Sequence, residues 1–413
     1  MKYDDAIAFL TSGEGEIIPG IERISSLIQS LSNPHAGMKI VHIAGTNGKG
    51  SVAAFVSSVL TEAGFIVGKF NSPWISNINE VVLVGEEKIT DQEICDIAEE
   101  MFSVVGECTA FEKLTALAFC HFRNRNCQYV VLEAGMGGAF DATNFINTSV
   151  VSVITKVSID HQSFLGETLA EIAKHKAGII KTGCPVICAP QEFVVSEAIK
   201  KVAVSRNSKL TFLNINDLTV IEMNLNGSRF YLEGKEYVVS LVGEHQIENA
   251  FLAVKVLNLL DIDYESIRIG LSKTTWAGRF QIICRQPWVI LDGAHNVEGM
   301  KVLVSNLKLF FSNQKIIFVF GALKDKEVKK MTSIMAEVAG EIHTVSLENR
   351  RAFQGKQLAE FVRIVFENVY ESDNINDAIK IVMEKARKEE VIVACGSLFL
   401  GDKFDTEVCK YVF

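Results

Sequence analysis

The sequence predicts an α/β protein of two domains, the first built on a doubly wound, mostly parallel sheet. Over residues 21–188, short apolar runs alternate with amphipathic helical segments, as is typical of parallel sheets covered by helices on both faces. Residues 209–242 change to short strand-like runs, which indicates a small antiparallel layer. Because 413 residues exceed what one hydrophobic core usually organises, we expect a second, smaller C-terminal α/β domain.

The elements of the first half follow from their periodicity. Residues 21–31 have apolar side chains at helical spacing, and the apolar run 39–44 leads into a glycine-rich turn and another helix. TDQE at 90–93 is a capping-box start for a helix through residue 104. A further amphipathic helix is predicted over 111–122. The strands that follow are predicted at residues 128–135, 149–155 and 184–188.

The second half repeats the alternation after the antiparallel layer. Asn226-Gly227 predicts a hairpin turn within that layer, and residues 243–260 return to helix. Beyond residues 276–287, which have helix-breaking residues at both ends, strands and helices alternate again. We therefore expect a domain boundary near residues 283–287, with a first domain of residues 1–284 and a C-terminal domain of residues 285–413.

Composition excludes several classes of protein. A net charge of −9 argues against a nucleic-acid partner, because such proteins carry a basic surplus. Asp4 and Asp5 replace the basic start of a signal peptide, and no apolar run reaches the length of a membrane span. Nine cysteines without a C-x-x-C pair indicate reduced thiols. We expect a cytoplasmic protein that binds neither membrane nor nucleic acid.

The turn after the apolar run 39–44 predicts an ATP phosphate-binding loop. Glycines let the backbone approach phosphate oxygens, a lysine supplies charge, and a serine can place its hydroxyl on Mg²⁺. One extra glycine between lysine and serine departs from the usual G-x-x-x-x-G-K-[ST] spacing, and an ordinary glycine-rich turn is the alternative. The predicted ATP-binding residues of this loop are Gly45, Thr46, Asn47, Gly48, Lys49, Gly50 and Ser51.

Two further stretches with candidate metal or nucleotide ligands lie at the ends of strands, and these strands should end at the same edge of the sheet. Glu133 ends a buried strand, and a carboxylate oxygen is a ligand that Mg²⁺ prefers. Asp160 and His161 follow the next strand. Because ligands bind at the carboxyl ends of strands in such folds, these residues and Ser51 predict a metal–nucleotide site.

Lys176 is a candidate of a different kind. A run of lysines such as Lys174, Lys176 and Lys181 is usually a solvated helix face. Lys176 is followed by the small, apolar AGII, which suggests that its side chain points into packed structure. An ammonium group, however, cannot bind a cation.

Together these motifs resemble the folylpolyglutamate synthase and dihydrofolate synthase family, within the Mur ligase superfamily of ATP-dependent amide ligases. Eleven segments over nearly the whole chain occur in the family order. They are IPGIERISSLIQSLSNPH, HIAGTNGKGS, FNSPW, FEKLTALAF, EAGMGGAFDATN, SIDHQSFLGETLAEIAKHKAGIIK, GEHQIENAFLA, WAGRF, LDGAHN, FGALKDKE and CGSLFL. The resemblance implies that ATP phosphorylates a substrate carboxylate and that the amine of an amino acid, L-glutamate in the family, attacks the acyl phosphate. It also implies a monomer whose Rossmann-like C-terminal domain closes over the site.

The resemblance also implies roles for individual residues. Lys49, His161 and Lys176 would be catalytic. Ser51 and Glu133 would bind a first Mg²⁺, and His161 with Lys176 a second. Lys176 would be carbamylated, which replaces its ammonium by an anionic oxygen ligand. The other implied positions are Asn249 at the adenine, Arg279 at the phosphates, Asp292, His295 and Asn296 at the nucleotide or amino acid, and Ser72 and Ser397 at the substrate.

The acceptor side departs from the family pattern. Val81 stands where the family usually has the arginine of N-E-R-I, Ala139 where it has the arginine of G-G-R, and His175 where it has the glutamate of E-K-A-G. Two cationic positions are thereby lost. A folate-type carboxylate is the leading hypothesis, and its alternative is a paralogous ligase that joins a non-folate carboxylate to glutamate or another amino acid. A non-catalytic nucleotide-binding protein and a kinase that releases a phosphorylated product are the other classes.

Overall fold

The computed structural model describes residues 1–13, 15–74 and 77–412. These residues form one sheet of eight strands, a second of six and a third of three. The predicted fold class is confirmed, with a large mostly parallel sheet, a small antiparallel layer and a second α/β unit.

The large sheet has the glycine-rich turn at the end of a central strand. Across the sheet, the strands lie in the order β4 (Glu87–Lys88), β3 (Val82–Val84), β2 (Val67–Phe70), β5 (Tyr129–Glu133), β1 (Lys39–Ala44), β6 (Val151–Ile154), β7 (Val186–Cys188) and β8 (Leu210–Phe212). The six strands that follow one another across the sheet from β2 to β8 are parallel. At one edge, β3 pairs antiparallel with β2, and β4 pairs antiparallel with β3. β1 lies between β5 and β6. From β1 the chain continues to β2 on the β5 side, and it later crosses from β5 to β6 on the other side of β1. Ligands bind at such a switch point.

Helices cover both faces of this sheet. Ile40 and Ala44 of β1 face one helical layer, and Val41 and Ile43 face the other, because successive side chains of a strand point to opposite faces. The first layer contains α1 (Tyr3–Thr11), α2 (Glu22–Ser30), α4 (Asp91–Phe102), α5 (Ala110–Asn124), α7 (Leu169–Ala177) and α8 (Phe193–Ser205). The second contains α3 (Lys49–Glu62), α9 (Glu244–Leu259) and α10 (Tyr264–Lys273). A single-turn helix, α6 (Gln162–Leu165), precedes α7.

The predicted capping box at the start of α4 is confirmed. The Thr90 side chain accepts from the backbone N–H of Glu93, and the Glu93 carboxylate accepts from the backbone N–H of Thr90. The same reciprocal pair starts α5 and α7. Each box satisfies amide donors that have no partner within the helix, and it therefore fixes where the helix begins.

The small antiparallel sheet packs on the second helical layer. Its strands are β9 (Leu218–Asn224), β10 (Gly227–Leu232) and β11 (Lys235–Val239). The hairpin predicted at Asn226-Gly227 turns one residue earlier, at Leu225 and Asn226. The expectation that residues 209–217 belong to this layer was wrong for β8, which pairs in parallel with β7. A three-residue strand takes its partner from the nearest open sheet edge, and local periodicity does not reveal that edge.

The second α/β unit contains the six-stranded sheet. Its strands lie in the order β12 (Gln281–Arg285), β13 (Trp288–Leu291), β17 (Val391–Cys395), β14 (Ile316–Phe320), β15 (Ala339–Val345) and β16 (Val369–Ser372). Its helices are α11 (Val297–Phe310), α12 (Val328–Met335), α13 (Gly355–Arg363), α14 (Ile375–Lys385) and α15 (Gly401–Val412). Short 3₁₀ helices occur at Ile78–Val81, Ala142–Phe145, Ile215–Asp217 and Leu398–Leu400.

The predicted division between residues 284 and 285 falls inside β12. Because β12 pairs with β13 of the second sheet, we propose that the C-terminal domain begins near Gln281. Among the described residues, no helix combines the length and the apolar character that a membrane span requires.

Candidate active site

A glycine-rich turn, residues 45–51, connects β1 to α3 and is called the phosphate loop below. Gly48 is the N-cap of α3 and has a φ of 89°, a backbone conformation that disfavours residues with a Cβ. A Cβ at this position would lie 2.5 Å from Oδ1 of Asn249. The first amides of α3 lack an acceptor within the helix, and such a helix N-terminus favours phosphate oxygens. The shape of the loop therefore fits a bound phosphate.

The loop is held against the segment that follows β6. The backbone N–H groups of Thr46 and Asn47 donate to the Lys156 carbonyl at 2.9 and 3.4 Å. The Thr46 hydroxyl donates to the Ser158 carbonyl at 3.0 Å. These bonds fix the first half of the loop against that segment.

Lys49 of this loop lies next to Glu133 at the end of β5. The Lys49 amine donates to the Thr46 carbonyl at 3.2 Å and lies 3.8 Å from the Glu133 carboxylate. Glu133 is 4% exposed and is paired with Ile43 in the register of β5 and β1. Burial raises the pKa of Glu133, although the cations Lys49, Arg279 and Lys69 oppose that shift. The residue is a buried carboxylate with cations around it.

Lys176 lies beneath the same loop. Its side chain is on α7, is 3% exposed, and donates from Nζ to the Gly45 carbonyl at 2.7 Å. Burial, together with the charge of Lys49, lowers the pKa of the Lys176 amine to about 7. An amine with that pKa is partly neutral, and hence nucleophilic, near pH 7.

A cluster of polar residues centred on Asp160 joins the two domains. Its other members are His161, His295, Asn296 and Lys326. The Lys326 amine donates to Oδ1 of Asp160 at 2.8 Å, and Nδ2 of Asn296 donates to Oδ2 at 3.2 Å. Nε2 of each histidine lies 3.8 Å from Oδ2. Because Asp160 belongs to the first domain and three of its partners to the second, this Asp160 cluster connects the domains at the site.

The groups around Asp160 lower the pKa of its carboxyl. Burial alone would raise the pKa of Asp160, but His161, Lys326 and His295 lower it, and the net pKa lies well below the usual range. Burial lowers the pKa of His161 to about 4. It lowers the pKa of His295, which also lies near Lys326, to about 4. Asp160 is therefore ionised at neutral pH, and its carboxylate accepts from the Lys326 amine.

Asn296 also reaches the phosphate loop. Nδ2 of Asn296 donates to the side-chain carbonyl of Asn47 at 3.1 Å, and Nδ2 of Asn47 donates back at 3.3 Å. The same Asn296 caps α11, since its Oδ1 accepts from the backbone N–H of Gly299 at 2.8 Å. One side chain thus fixes the start of α11 against the loop.

Arg279 and Asp292 lie half-buried at the start of the second sheet. Nη1 of Arg279 donates to the Gly278 carbonyl at 3.0 Å. The carboxylate of Asp292 accepts from the backbone N–H groups of Phe280 and Ala294, both at 2.8 Å. Burial raises the pKa of Asp292, while Arg279 opposes that shift. In this structure Asp292 holds two backbone segments beside the site.

The other side of the phosphate loop is formed by Asn249 and Trp276. Nδ2 of Asn249, on α9, donates to Oε1 of Gln246 at 3.1 Å. The Trp276 indole packs so closely on Gly50 that a Cβ there would lie 2.9 Å from Nε1. The Lys69 amine lies 4.7 Å from the centre of the Trp276 ring. Lys69 is a buried cation near Glu133 that the sequence analysis did not recognise.

A cavity of about 420 Å³ opens next to the Asp160 cluster. We call it the acceptor cavity, and it is lined by residues of both domains, among them Ser72, Phe140, Phe164, Lys326 and Ser397. Both serines predicted at the substrate therefore line one cavity. The Ser397 hydroxyl is engaged locally, where it accepts from the backbone N–H of Phe399 at 3.3 Å. The size of the cavity suits a small organic ligand.

In the described part of the chain, no group of three or more His, Cys, Asp and Glu side chains is arranged to hold a metal ion. Glu133 lies 3.8 Å from Lys49 of the phosphate loop, and Lys176 donates to the Gly45 carbonyl of the same loop. His161 follows β6 as the N-cap of α6. Mg²⁺ typically takes one or two protein carboxylates and completes its shell with phosphates and water, so a sparse set of protein ligands fits it.

Two family matches cover most of the chain. Residues 43–257 match the Mur ligase middle domain, and residues 278–398 match the Mur ligase, glutamate ligase domain. The fold and the loop-centred site therefore define an ATP-dependent acid–amino-acid ligase of the Mur type.

Relatives narrow this class. The dihydrofolate synthase/folylpolyglutamate synthase of Bacillus subtilis is 36% identical over 404 residues, covering 92% of this chain and 93% of that protein. The structure of folylpolyglutamate synthase from Thermotoga maritima has a TM-score of 0.85 at 31% identity, over 98% of this chain and 96% of that one. The Escherichia coli FolC structure in complex with DHPP and ADP has a TM-score of 0.88 at 26% identity, over 100% and 98%. The chain belongs to the folylpolyglutamate synthase/dihydrofolate synthase family.

Proposed function

We propose that this ligase couples L-glutamate to a folate-type carboxylic acid. A carboxylate oxygen of the acid attacks the γ-phosphorus of ATP, and the bond to ADP breaks. The glutamate amine then attacks the acyl carbon, an amide bond forms, and phosphate leaves with the former carboxylate oxygen. The observation that carries the proposal is the acceptor cavity, which opens beside the Asp160 cluster. The names of the relatives, which are folate synthases, support the choice of substrates.

The residues of the phosphate loop suit phosphoryl transfer. The free amides at the start of α3 and the Lys49 amine would hold the terminal phosphates, and Asn249 and Arg279 would contact the nucleotide from either side. Ser51 and the buried carboxylate of Glu133 would hold Mg²⁺, which neutralises phosphate charge when it is bound. The fit rests on Glu133, because it is a buried carboxylate next to Lys49 of the loop, and carboxylate oxygens are ligands that Mg²⁺ prefers.

We propose that Lys176 carries a carbamate. Its partly neutral, buried amine would attack CO₂, forming an N–C bond with loss of one proton. The product has an anionic oxygen where the ammonium stood, and with His161 it would complete a second Mg²⁺ site. Lys49, whose ammonium lowers the pKa of the Lys176 amine, would then stabilise the carbamate by its charge.

The contacts between the domains would exclude water from the acyl phosphate. The bonds from Lys326 and Asn296 to Asp160 hold the C-terminal domain over the phosphate loop. His295, Asp292 and Ser397 would shape the side on which glutamate enters. Water exclusion matters because hydrolysis competes with the attack by the amine. We propose that one chain suffices, since residues of both domains of the same chain line the cavity.

A second candidate function is ligation of a non-folate carboxylate to glutamate or another amino acid. It is favoured by the two positions that lack the cations of the family pattern. Val81 is buried in the first core. Ala139 packs tightly on Gly178, where a Cβ would lie 2.4 Å from that of Ala139. No cationic side chain extends from either position.

ADP formation measured with a panel of acids separates the two functions. The proposal predicts that ADP forms with dihydropteroate or tetrahydrofolate only when L-glutamate is present, and that mass spectrometry finds an amide product one glutamate heavier. Turnover with another carboxylic acid, combined with silence toward both pterins, would establish the second function. Equal ADP formation without any amine would instead identify a kinase.

A further inference from the structure

Trp276 lies in the segment that joins the two domains. This linker, residues 274–280, connects α10 to β12. Beyond Trp276, the Gly278 carbonyl accepts from the backbone N–H of Gly293 at 2.8 Å, and this bond fixes the end of the linker to the second domain. The position of the Trp276 ring therefore sets where the linker leaves the first domain.

The Trp276 ring packs on the phosphate loop and on β2. Three atoms of the indole would lie 2.9, 3.0 and 3.1 Å from a Cβ at Gly50, so a glycine is needed there for the ring to fit. The amine of Lys69 lies over the same ring, 4.7 Å from its centre. Lys69 is in register with Val131, which places it on the face of the sheet that α3 covers. We call Gly50, Lys69 and Trp276 the Trp276 clamp.

Lys69 depends on the ring of Trp276. Its side chain is 5% exposed, and in the described part of the chain no acceptor lies within hydrogen-bond or ion-pair distance of its amine. Burial lowers the pKa of Lys69, and the more distant carboxylates of Glu86 and Glu133 oppose that shift. A buried ammonium without an acceptor is costly, and the face of an aromatic ring offsets part of that cost. The clamp therefore resists displacement of the ring.

Arg279 follows Trp276 in the same linker. Nη1 of Arg279 packs on Gly293 of the second domain, where a Cβ would lie 2.3 Å away. Burial lowers the pKa of Arg279, and the carboxylates of Asp292 and Glu133 oppose that shift. The guanidinium is thus within electrostatic reach of one carboxylate from each domain.

We propose that Trp276 and Lys69 are positioning residues, which hold the linker so that Arg279 lies at the bound nucleotide. This inference rests on the proposed contact of Arg279 with the nucleotide and deepens it. Only two residues separate Trp276 from Arg279, so a shift of the ring displaces the guanidinium. The ring rests on Gly50 of the phosphate loop itself, and the clamp therefore fixes the distance between the loop and Arg279.

Binding of AMP-PNP in the presence of Mg²⁺, measured by calorimetry, tests the inference without turnover. Trp276→Leu should raise the Kd about tenfold, the loss expected when a hydrogen bond from a charged group is broken. Trp276→Phe retains a ring for Lys69 and should recover most of the affinity. Trp288→Leu is the matched control, because Trp288 also has a cation, Arg285, at 5.2 Å from its ring centre but lies in β13; its Kd should be unchanged.

A double-mutant cycle with Arg279→Met shows how Trp276 acts. If Trp276 positions Arg279, Trp276→Leu weakens binding in the otherwise unaltered protein and causes no further loss in the Arg279→Met protein. Losses that multiply would give Trp276 a separate role and overturn the inference. An unchanged Kd in a folded Trp276→Leu protein would also overturn it, while weaker binding by Arg279→Met would leave the proposed function standing. An unchanged Kd in Arg279→Met would overturn the proposed contact of Arg279 and the inference with it.

Lys69→Met provides a test that does not depend on the folding of the Trp276 variants. It removes the charge at nearly the same side-chain length, and we expect the Kd to rise about threefold through the lost contact with the ring. Lys69→Arg retains a cation and should restore the affinity. An unchanged Kd in Lys69→Met, or a loss that persists in the Arg279→Met background, would contradict the inference.

Discussion

Replacement of Gly48 by alanine tests the shape of the phosphate loop. The left-handed φ of 89° costs a residue with a Cβ about 1–2 kcal/mol. The new Cβ would also meet Oδ1 of Asn249 at 2.5 Å, and overpacking of this kind costs about 1–3 kcal/mol. The matched control is Gly234→Ala, because Gly234 has a φ of 76° and no atom within 4 Å of a new Cβ.

The difference between the two variants isolates the contact with Asn249. We expect the ligand-free Gly48→Ala protein to unfold at a lower temperature than Gly234→Ala by about 2–12 °C, taking about 2–4 °C per kcal/mol for domains of this size. The KM for ATP should rise about tenfold or more in Gly48→Ala alone, because the shifted loop misdirects its amides. Adding Asn249→Ala to the Gly48→Ala protein should remove most of the difference in unfolding temperature between the two glycine variants. Equal unfolding temperatures and equal KM values in the two glycine variants would refute the geometry.

Three further changes address the other parts of the site and the core beneath it. Lys176→Ala should abolish ADP formation, and small carboxylic acids such as acetate should restore part of it. The control Lys174→Ala, on the exposed face of α7, should remain active. Full activity of Lys176→Ala would exclude the carbamate. Asp160→Asn removes the 2.8 Å ion pair of Lys326 and leaves its ammonium only the Asp325 carboxylate at 3.8 Å, so stability should fall by about 1–3 kcal/mol. Adding Lys326→Met should restore much of the loss. Simply additive effects of the two substitutions on thermal unfolding would contradict the pair. Burial, with the charge of Lys181, lowers the pKa of His42 from 6.5 to about 3. Between these two pH values the unfolded chain binds more protons than the folded protein does. The free energy of unfolding therefore decreases as pH falls from 6.5 toward 3. His42→Gln should therefore flatten the decline of the free energy of unfolding over that window, measured by urea denaturation, and an unchanged slope would refute the assignment.

Local sequence signals predicted the elements better than their partners. The capping box of Thr90 and Glu93 and the glycine turn after β1 are set by neighbouring residues, and both were recognisable. Strands β8 and β12 are short, and the sheet that each joins depends on edges supplied by distant segments. The sequence therefore placed β8 in the wrong layer. The predicted domain boundary falls inside β12 and stays a prediction.

The residues of the site likewise divide into those that local sequence patterns predict and those that depend on distant segments. The phosphate loop is contiguous, and Glu133 and His161 needed only the assumption of parallel strands. The Asp160 cluster depends on Lys326 and Asn296, which are 166 and 136 residues away from Asp160, and no local pattern predicts such contacts. A lysine in the charged segment KDKE is expected to be solvated. Lys69 was missed because a buried ammonium within an apolar strand contradicts the usual preference of lysine for the surface.

The most direct test of the account follows an oxygen atom. The acid is labelled with ¹⁸O in its carboxylate and turned over with ATP and L-glutamate, and the phosphate released is analysed by mass spectrometry. Phosphoryl transfer to the carboxylate predicts one ¹⁸O atom in each phosphate and one in the amide carbonyl. Unlabelled phosphate, with ATP consumed and amide formed, would contradict the activation of the carboxylate by ATP.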